Sequence, residues 1–133
     1  MVSNAENALH EVKKKLYNHY KIYIKKEWWV DHQRKVIIQA ENKTRFYVLF
    51  KRDFFNSYGK ITGNEGIGES INIDDFDYAV YEQDVERFLY IYPNNHVYTI
   101  TPRELRRNAF CYHNEADGKE QYLFSIKKLD RLA

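Results

Sequence analysis

Between Ile22 and Arg52 the chain places three β-forming runs end to end, "IYIKKEWWV", "VIIQAE" and "RFYVLFKR", separated only by "DHQRK" and "NKT". Links this short cannot carry a chain back to start a parallel strand, which takes a crossover of about a dozen residues or more. They can only reverse it, so residues 22–52 are expected to form an antiparallel three-stranded meander. The third run alternates strictly. Phe46, Val48 and Phe50 point one way, and Tyr47, Leu49 and Lys51 the other.

Upstream, Ser3 and Glu6 form a capping box, and Leu9, Val12, Leu16 and Tyr20 recur at helical spacing, giving a helix from about Asn4 to His19. Downstream, "DFFNSYGKITGNEGIGES" holds four of the five glycines and no periodicity, the signature of a long loop. Asn72 then caps a short helix with an apolar face of Ile73, Phe76, Ala79 and Val80. "RFLYIY" and "HVYTI" flank a "PNN" turn. Thr101, Pro102 and Glu104 start a helix running to about Phe110, and "HNEADGKE" leads to a last strand, "YLFSI". The order is α-β-β-β-α-β-β-α-β: one α+β domain over residues 1–133, with a mixed sheet and helices packed on it.

Composition narrows the function classes. At 44% hydrophobic and 30% charged, the 133 residues describe a folded protein rather than a disordered one. Cys111 stands alone, so no intramolecular disulfide framework exists. No run approaches the roughly 20 apolar residues of a membrane span, and "MVSNAENALHEVKKK" has no apolar segment of signal-peptide length. A cytoplasmic protein with no membrane partner is expected.

Net charge is +2, yet residues 1–52 hold 12 basic against 5 acidic residues, residues 53–86 hold 1 against 9, and residues 87–133 hold 8 against 5. The basic first third suits phosphate, whereas the acidic middle suits a cation, a basic segment of a second copy, or neutralisation within the chain. "GNEGIGESINIDDFDYA" puts glycines before a helix, but Glu65, Glu69, Asp74, Asp75 and Asp77 crowd the same place and oppose a phosphate. Acids in a first helical turn are explained by the helix dipole alone. If Glu69 is buried beside a basic group, this segment braces the fold.

Nucleic acid is the partner class that the basic residues favour. Arg103, Arg106 and Arg107 lie on one short helix, Lys51 and Arg52 end a strand, and Lys13, Lys14 and Lys15 stud the first helix, with tyrosines nearby to stack on bases. DNA and RNA fit equally.

Two resemblances refine this. Asp31, then Glu41-Asn42-Lys43, resembles the D…E-x-K pattern of the PD-(D/E)xK restriction-endonuclease-like superfamily. The resemblance implies a Mg²⁺-dependent phosphodiesterase, with Asp31 and Glu41 as metal ligands, Lys43 assisting the attacking water, and Glu11 as a further ligand. The sequence departs from the pattern at Val30, where the family carries proline, and at Asn42, where it carries an apolar residue. The better structural counterpart, Leu49-Phe50-Lys51, lacks the acid. In addition, "GIGESINIDDFDYA", "FLYIYPNNHVYTITPREL" and "YLFSIKKLDRL" resemble small uncharacterised proteins of hyperthermophilic archaea and their viruses and plasmids. These are distantly similar to the same nuclease-like fold, and they bring no catalytic residues with them. Two readings therefore stand at this point. One is a nucleic-acid-acting, nuclease-like protein. The other is a non-catalytic homodimeric interaction or nucleic-acid-binding protein that buries aromatic surface.

Overall fold

The first helix, α1 (Asn4–Tyr20), buries Leu9, Val12 and Leu16, as its spacing demands. Its fourth periodic residue, Tyr20, instead stays about half exposed and donates its hydroxyl to the Leu132 carbonyl at 2.9 Å. In the computed structural model the described residues are 4–31, 34–51, 68–93, 96–125 and 128–132. Ser3, Arg52 and the glycine-rich stretch to residue 67 lie outside them.

The meander forms as the short links require. Strands β1 (Ile24–Asp31), β2 (Lys35–Ala40) and β3 (Arg45–Phe50) pair antiparallel in succession. After β4 (Gly68–Asn72), α2 (Ile73–Asp77) and a π-helical turn (Tyr78–Glu82), the chain returns as β5 (Arg87–Ile91), parallel to β3. Strands β6 (Val97–Ile100) and β9 (Asp130–Arg131) complete a six-stranded mixed sheet ordered β1-β2-β3-β5-β6-β9. Between them run α3 (Pro102–Asn108), β7 (Phe110–Asn114) and β8 (Lys119–Ser125). A second sheet, ordered β4-β8-β7, packs across the first.

Period-2 alternation sorts the core into two layers, one on each face of the main sheet. Val36, Ile38, Phe46, Val48, Leu89 and Ile91 face α1. Ile37, Tyr47, Leu49, Phe88, Tyr90 and Tyr92 face the second sheet and the short helices. The alternation of "RFYVLFKR" is thus realised on both sides. An aromatic seam fills the second layer: Phe76 stacks on Phe88 at 5.5 Å and meets Tyr122 edge-on at 5.1 Å, and Tyr90 meets Phe124 edge-on at 5.9 Å. Edge-to-face and offset pairs at these separations are the favoured aromatic geometries. Trp28 and Trp29 take opposite faces. The first lies under the Arg45 guanidinium and the second stacks on Phe50.

Local caps also form. Asn72 accepts from the Asp74 amide, and Thr101 and Glu104 close a reciprocal capping box with Pro102 at the first helical position. Three elements differ from expectation. Residues 68–72, read as the end of a loop, are β4. Helix α3 stops at Asn108 rather than near Phe110, and Phe110 opens β7, which turns back into β8 through residues 115–118, with Gly118 at φ 69°. A positive φ there suits glycine, which has no Cβ to clash.

Candidate nucleic-acid interface

The predicted metal triad does not assemble. Asp31 closes β1 opposite Lys35, while Glu41 follows Ala40, which lies opposite Ile24 at the other end of the same hairpin. From the Asp31–Lys35 pair to Glu41 is most of the length of β2, about 20 Å at ~3.3 Å per residue. A single Mg²⁺ draws its oxygens to within about 2.1 Å. Asp31 and Glu41 therefore do not fit one ion, and no reaction step can be routed through them. Lys43 does stay beside Glu41: it occupies the β2–β3 turn at φ 72°, its amide donating to the Ala40 carbonyl. The cause is the hairpin itself, which runs the chain away from Asp31 over the very residues that create the spacing. Glu11, the further ligand of that resemblance, faces Lys14 at 3.7 Å. Among the described residues no group of three or more His, Cys, Asp and Glu side chains is placed to hold an ion.

Asp31 belongs instead to a polar end of the sheet that sequence reasoning missed. Lys35 Nζ is 2.6 Å from Asp75 Oδ2, and the Tyr47 hydroxyl is buried nearby with no hydrogen-bond partner among the described residues. Burial raises the Tyr47 hydroxyl pKa above its ordinary range, and the charges of Asp75 and Asp31 raise it further.

Lys51, a predicted nucleic-acid contact, is half-buried and paired with a buried carboxylate. Its Nζ lies 2.9 Å from Glu69 Oε2, and the Glu69 side chain is 3% exposed. The Ser70 amide donates to the same oxygen at 2.9 Å, and the Tyr92 hydroxyl donates to Oε1 at 2.5 Å. Tyr90 underlies the ammonium, which sits 5.4 Å from its ring centroid, and donates to the Ser70 carbonyl at 3.2 Å. Burial raises the pKa of both tyrosines, and the carboxylate beside them raises it again. Three donors converge on Glu69, the arrangement that a buried carboxylate needs to be tolerated. Glu69 braces β4 against β3 and β5. The charge asymmetry of the sequence is thus partly neutralised within one chain, since Lys35 and Lys51 of the basic third hold Asp75 and Glu69 of the acidic middle.

On α1, Lys13 pairs with Glu27 and Lys14 with Glu11. The helix is therefore a weaker cationic surface than its lysine count promises. Arg52 lies outside the described residues.

Helix α3 differs. Its single buried residue, Leu105, anchors it, and Glu104 is turned back to its own cap, so Arg103, Arg106 and Arg107 all project to the exposed side. They line a groove of about 520 Å³ whose remaining lining is Phe76, Val80 and Pro102. None of the three arginines is within ion-pair distance of a carboxylate among the described residues. Arg106 donates to the Tyr81 hydroxyl at 2.9 Å, which raises its already high pKa, and Asp77 adds a smaller effect in the same direction. Tyr81 is 65% exposed on the neighbouring π turn. Of the predicted interface, then, the arginine trio is brought together and Lys51 is withdrawn. The added member is Tyr81, 25 residues from Arg106 in sequence and so invisible to local pattern.

With this geometry in hand, the chain was compared with known proteins: no family model, no curated protein and no solved structure matches it.

Proposed function

We propose that this protein binds nucleic acid without cleaving it, with α3 as the element that meets the phosphate backbone. One observation carries the reading: three arginines share the rim of one groove with no carboxylate among the described residues in ion-pair reach. Arginine presents a planar fork of donors that matches phosphate oxygens, and clustered arginines release counterions when they bind a polyanion. The succession of helix, three-stranded meander, short helix and parallel strand supports kinship with the restriction-endonuclease-like architecture, and with the small archaeal and viral proteins resembling it. The ligands that this kinship implies for Mg²⁺ do not converge, so the proposal carries binding and no hydrolysis.

The test is titration of labelled DNA and RNA by fluorescence anisotropy over a range of salt. Replacing Arg103 and Arg107 by alanine removes two phosphate contacts and lowers the slope of log K against log salt by about 1.5. A wild-type protein that binds neither polymer at low salt sinks the reading.

A second reading, a homodimeric interaction protein, draws on Tyr17, Tyr20 and Tyr23, each about half exposed around the end of α1. Sedimentation of the wild type and of Tyr17→Ser/Tyr23→Ser decides it. No helix among the described residues is long and apolar enough to cross a membrane.

A further inference from the structure

We infer that the α3 groove takes single-stranded rather than duplex nucleic acid, an unstacked base entering the groove and resting against Tyr81 while the arginines hold the flanking phosphates. This rests on the nucleic-acid reading above and adds the form of the substrate.

The groove is not simply cationic. Half of its lining, Phe76, Val80 and Pro102, is apolar, and the arginines stand at the rim. A duplex offers a protein surface its phosphates and sugars and keeps its bases stacked inside, so it brings nothing to fill an apolar slot. A single strand can splay a base outward and lay its face on an aromatic ring or on a guanidinium plane. The groove is built for that second kind of ligand: an apolar, planar body flanked by anions.

Tyr81 is the second observation. Residues 78–82 form a π-helical turn, closed by the Gln83 amide on the Tyr78 carbonyl at 3.0 Å. Such widened turns are uncommon and are often found at functional positions. Here the turn directs Val80 into the groove and leaves the adjacent Tyr81 ring 65% exposed, the most exposed large hydrophobic side chain among the described residues. The hydroxyl of that ring accepts a hydrogen bond from Arg106, which is itself a groove residue. Tyrosine and guanidinium are therefore tied together at one edge, giving a stacking face beside a charge. The acidic group whose charge reaches the groove is Asp77, beside Arg106. It weakens the pull of that guanidinium on an anion, so the flanking phosphates are expected at Arg103 and Arg107.

The experiment compares one labelled oligonucleotide as a single strand and as its duplex, in DNA and in RNA form, against wild type, Tyr81→Ala, Tyr81→Phe and Arg103→Ala/Arg107→Ala. The expected result is tighter binding of the single strand. Tyr81→Ala weakens it roughly five- to a hundredfold, the range for loss of one base–aromatic stack, and leaves duplex binding unchanged. Tyr81→Phe keeps the ring and most of the single-strand affinity. The arginine variant weakens both forms. Equal or tighter duplex binding overturns the inference while leaving the nucleic-acid reading in place, as does a Tyr81→Ala effect equal on both forms. Binding to neither form by the wild type overturns both. Tyr81 is exposed, so circular dichroism of its variants is expected to match wild type, and a binding loss is then a loss at the surface.

Discussion

Lys51 reaches Glu69 across the layer between two sheets, Nζ to Oε2 at 2.9 Å, with the carboxylate 3% exposed and the ammonium side chain 25% exposed. The pair links the last turn-out of β3 to β4, an edge strand whose other neighbour, β8, belongs wholly to the second sheet. It adds a polar tie to the aromatic packing between the sheets, and it accounts for a lysine that the sequence placed on a nucleic-acid surface and for a glutamate whose burial beside a basic group was the stated mark of a brace.

Because Glu69 cannot reach water, removing Lys51 alone strands a buried charge. Breaking a fully buried ion pair costs about 3–5 kcal/mol. Lys51 keeps part of its surface in solvent, which lowers the expectation for Lys51→Met to about 2–3 kcal/mol after discounting for screening. Adding Glu69→Gln removes the orphaned charge, so the double variant is expected to regain part of that loss. Urea unfolding of the two singles and the double gives the coupling energy directly. Strictly additive losses contradict the clamp.

Two of the buried tyrosine hydroxyls of the second layer, those of Tyr92 and Tyr47, are expected to behave in opposite ways. Tyr92→Phe removes a donor from Glu69 and leaves its Oε1 wanting, at a cost of about 1–3 kcal/mol. Tyr47→Phe deletes a hydroxyl that has no partner among the described residues, so it is expected to be neutral or to stabilise. A thermal-melt comparison separates them. A Tyr47→Phe loss as large as that of Tyr92→Phe contradicts the assignment.

Alkaline unfolding follows from the same groups. Tyr47, Tyr90 and Tyr92 all have folded-state pKa values raised above the ordinary 10.0, first through burial and then through Asp75 or Glu69. A raised folded pKa means that the native state holds the proton more tightly than the unfolded chain does. Their contribution is fully present below pH 10.0 and declines as pH rises above it. Stability measured by denaturant titration is expected to hold through neutral pH and to fall above about pH 10. Absorbance near the tyrosinate band should then rise cooperatively with unfolding, and Tyr92→Phe should flatten the fall. Noncooperative ionisation of all tyrosines in a protein still folded contradicts this.

Local signals were legible in the sequence, and long-range ones were not. The caps at Asn72 and Thr101, the periodicity of α1 and the alternation of β3 each depend on residues within a few positions of one another, and each is realised. Strand β4 pairs Gly68 with Ser125 and Asn72 with Gln121, so nothing near "GESIN" marks it as a strand. The short β9 likewise exists only through Tyr98 and Thr99. The D…E-x-K spacing misled for a related reason: it counts along the chain, whereas the antiparallel pairing of β1 with β2 reverses the chain between Asp31 and Glu41. The arginine trio was legible as composition, but the groove floor comes from α2 and the π turn, more than 20 residues upstream.

The separation of Asp31 from Glu41 gives the last prediction. These carboxylates lie at opposite ends of one hairpin, too far apart to share one Mg²⁺. Asp31→Ala and Glu41→Ala are therefore expected to leave nucleic-acid affinity within about twofold of wild type, as surface changes outside the α3 groove do. Treatment with EDTA is expected to leave it unchanged as well, whereas Arg103→Ala/Arg107→Ala lowers it. The check is anisotropy titration with and without Mg²⁺, run beside a gel assay of the same oligonucleotides for cut products. Cleavage that requires Mg²⁺ and vanishes in Glu41→Ala would restore the nuclease reading and would require the hairpin to rearrange so that its two ends meet.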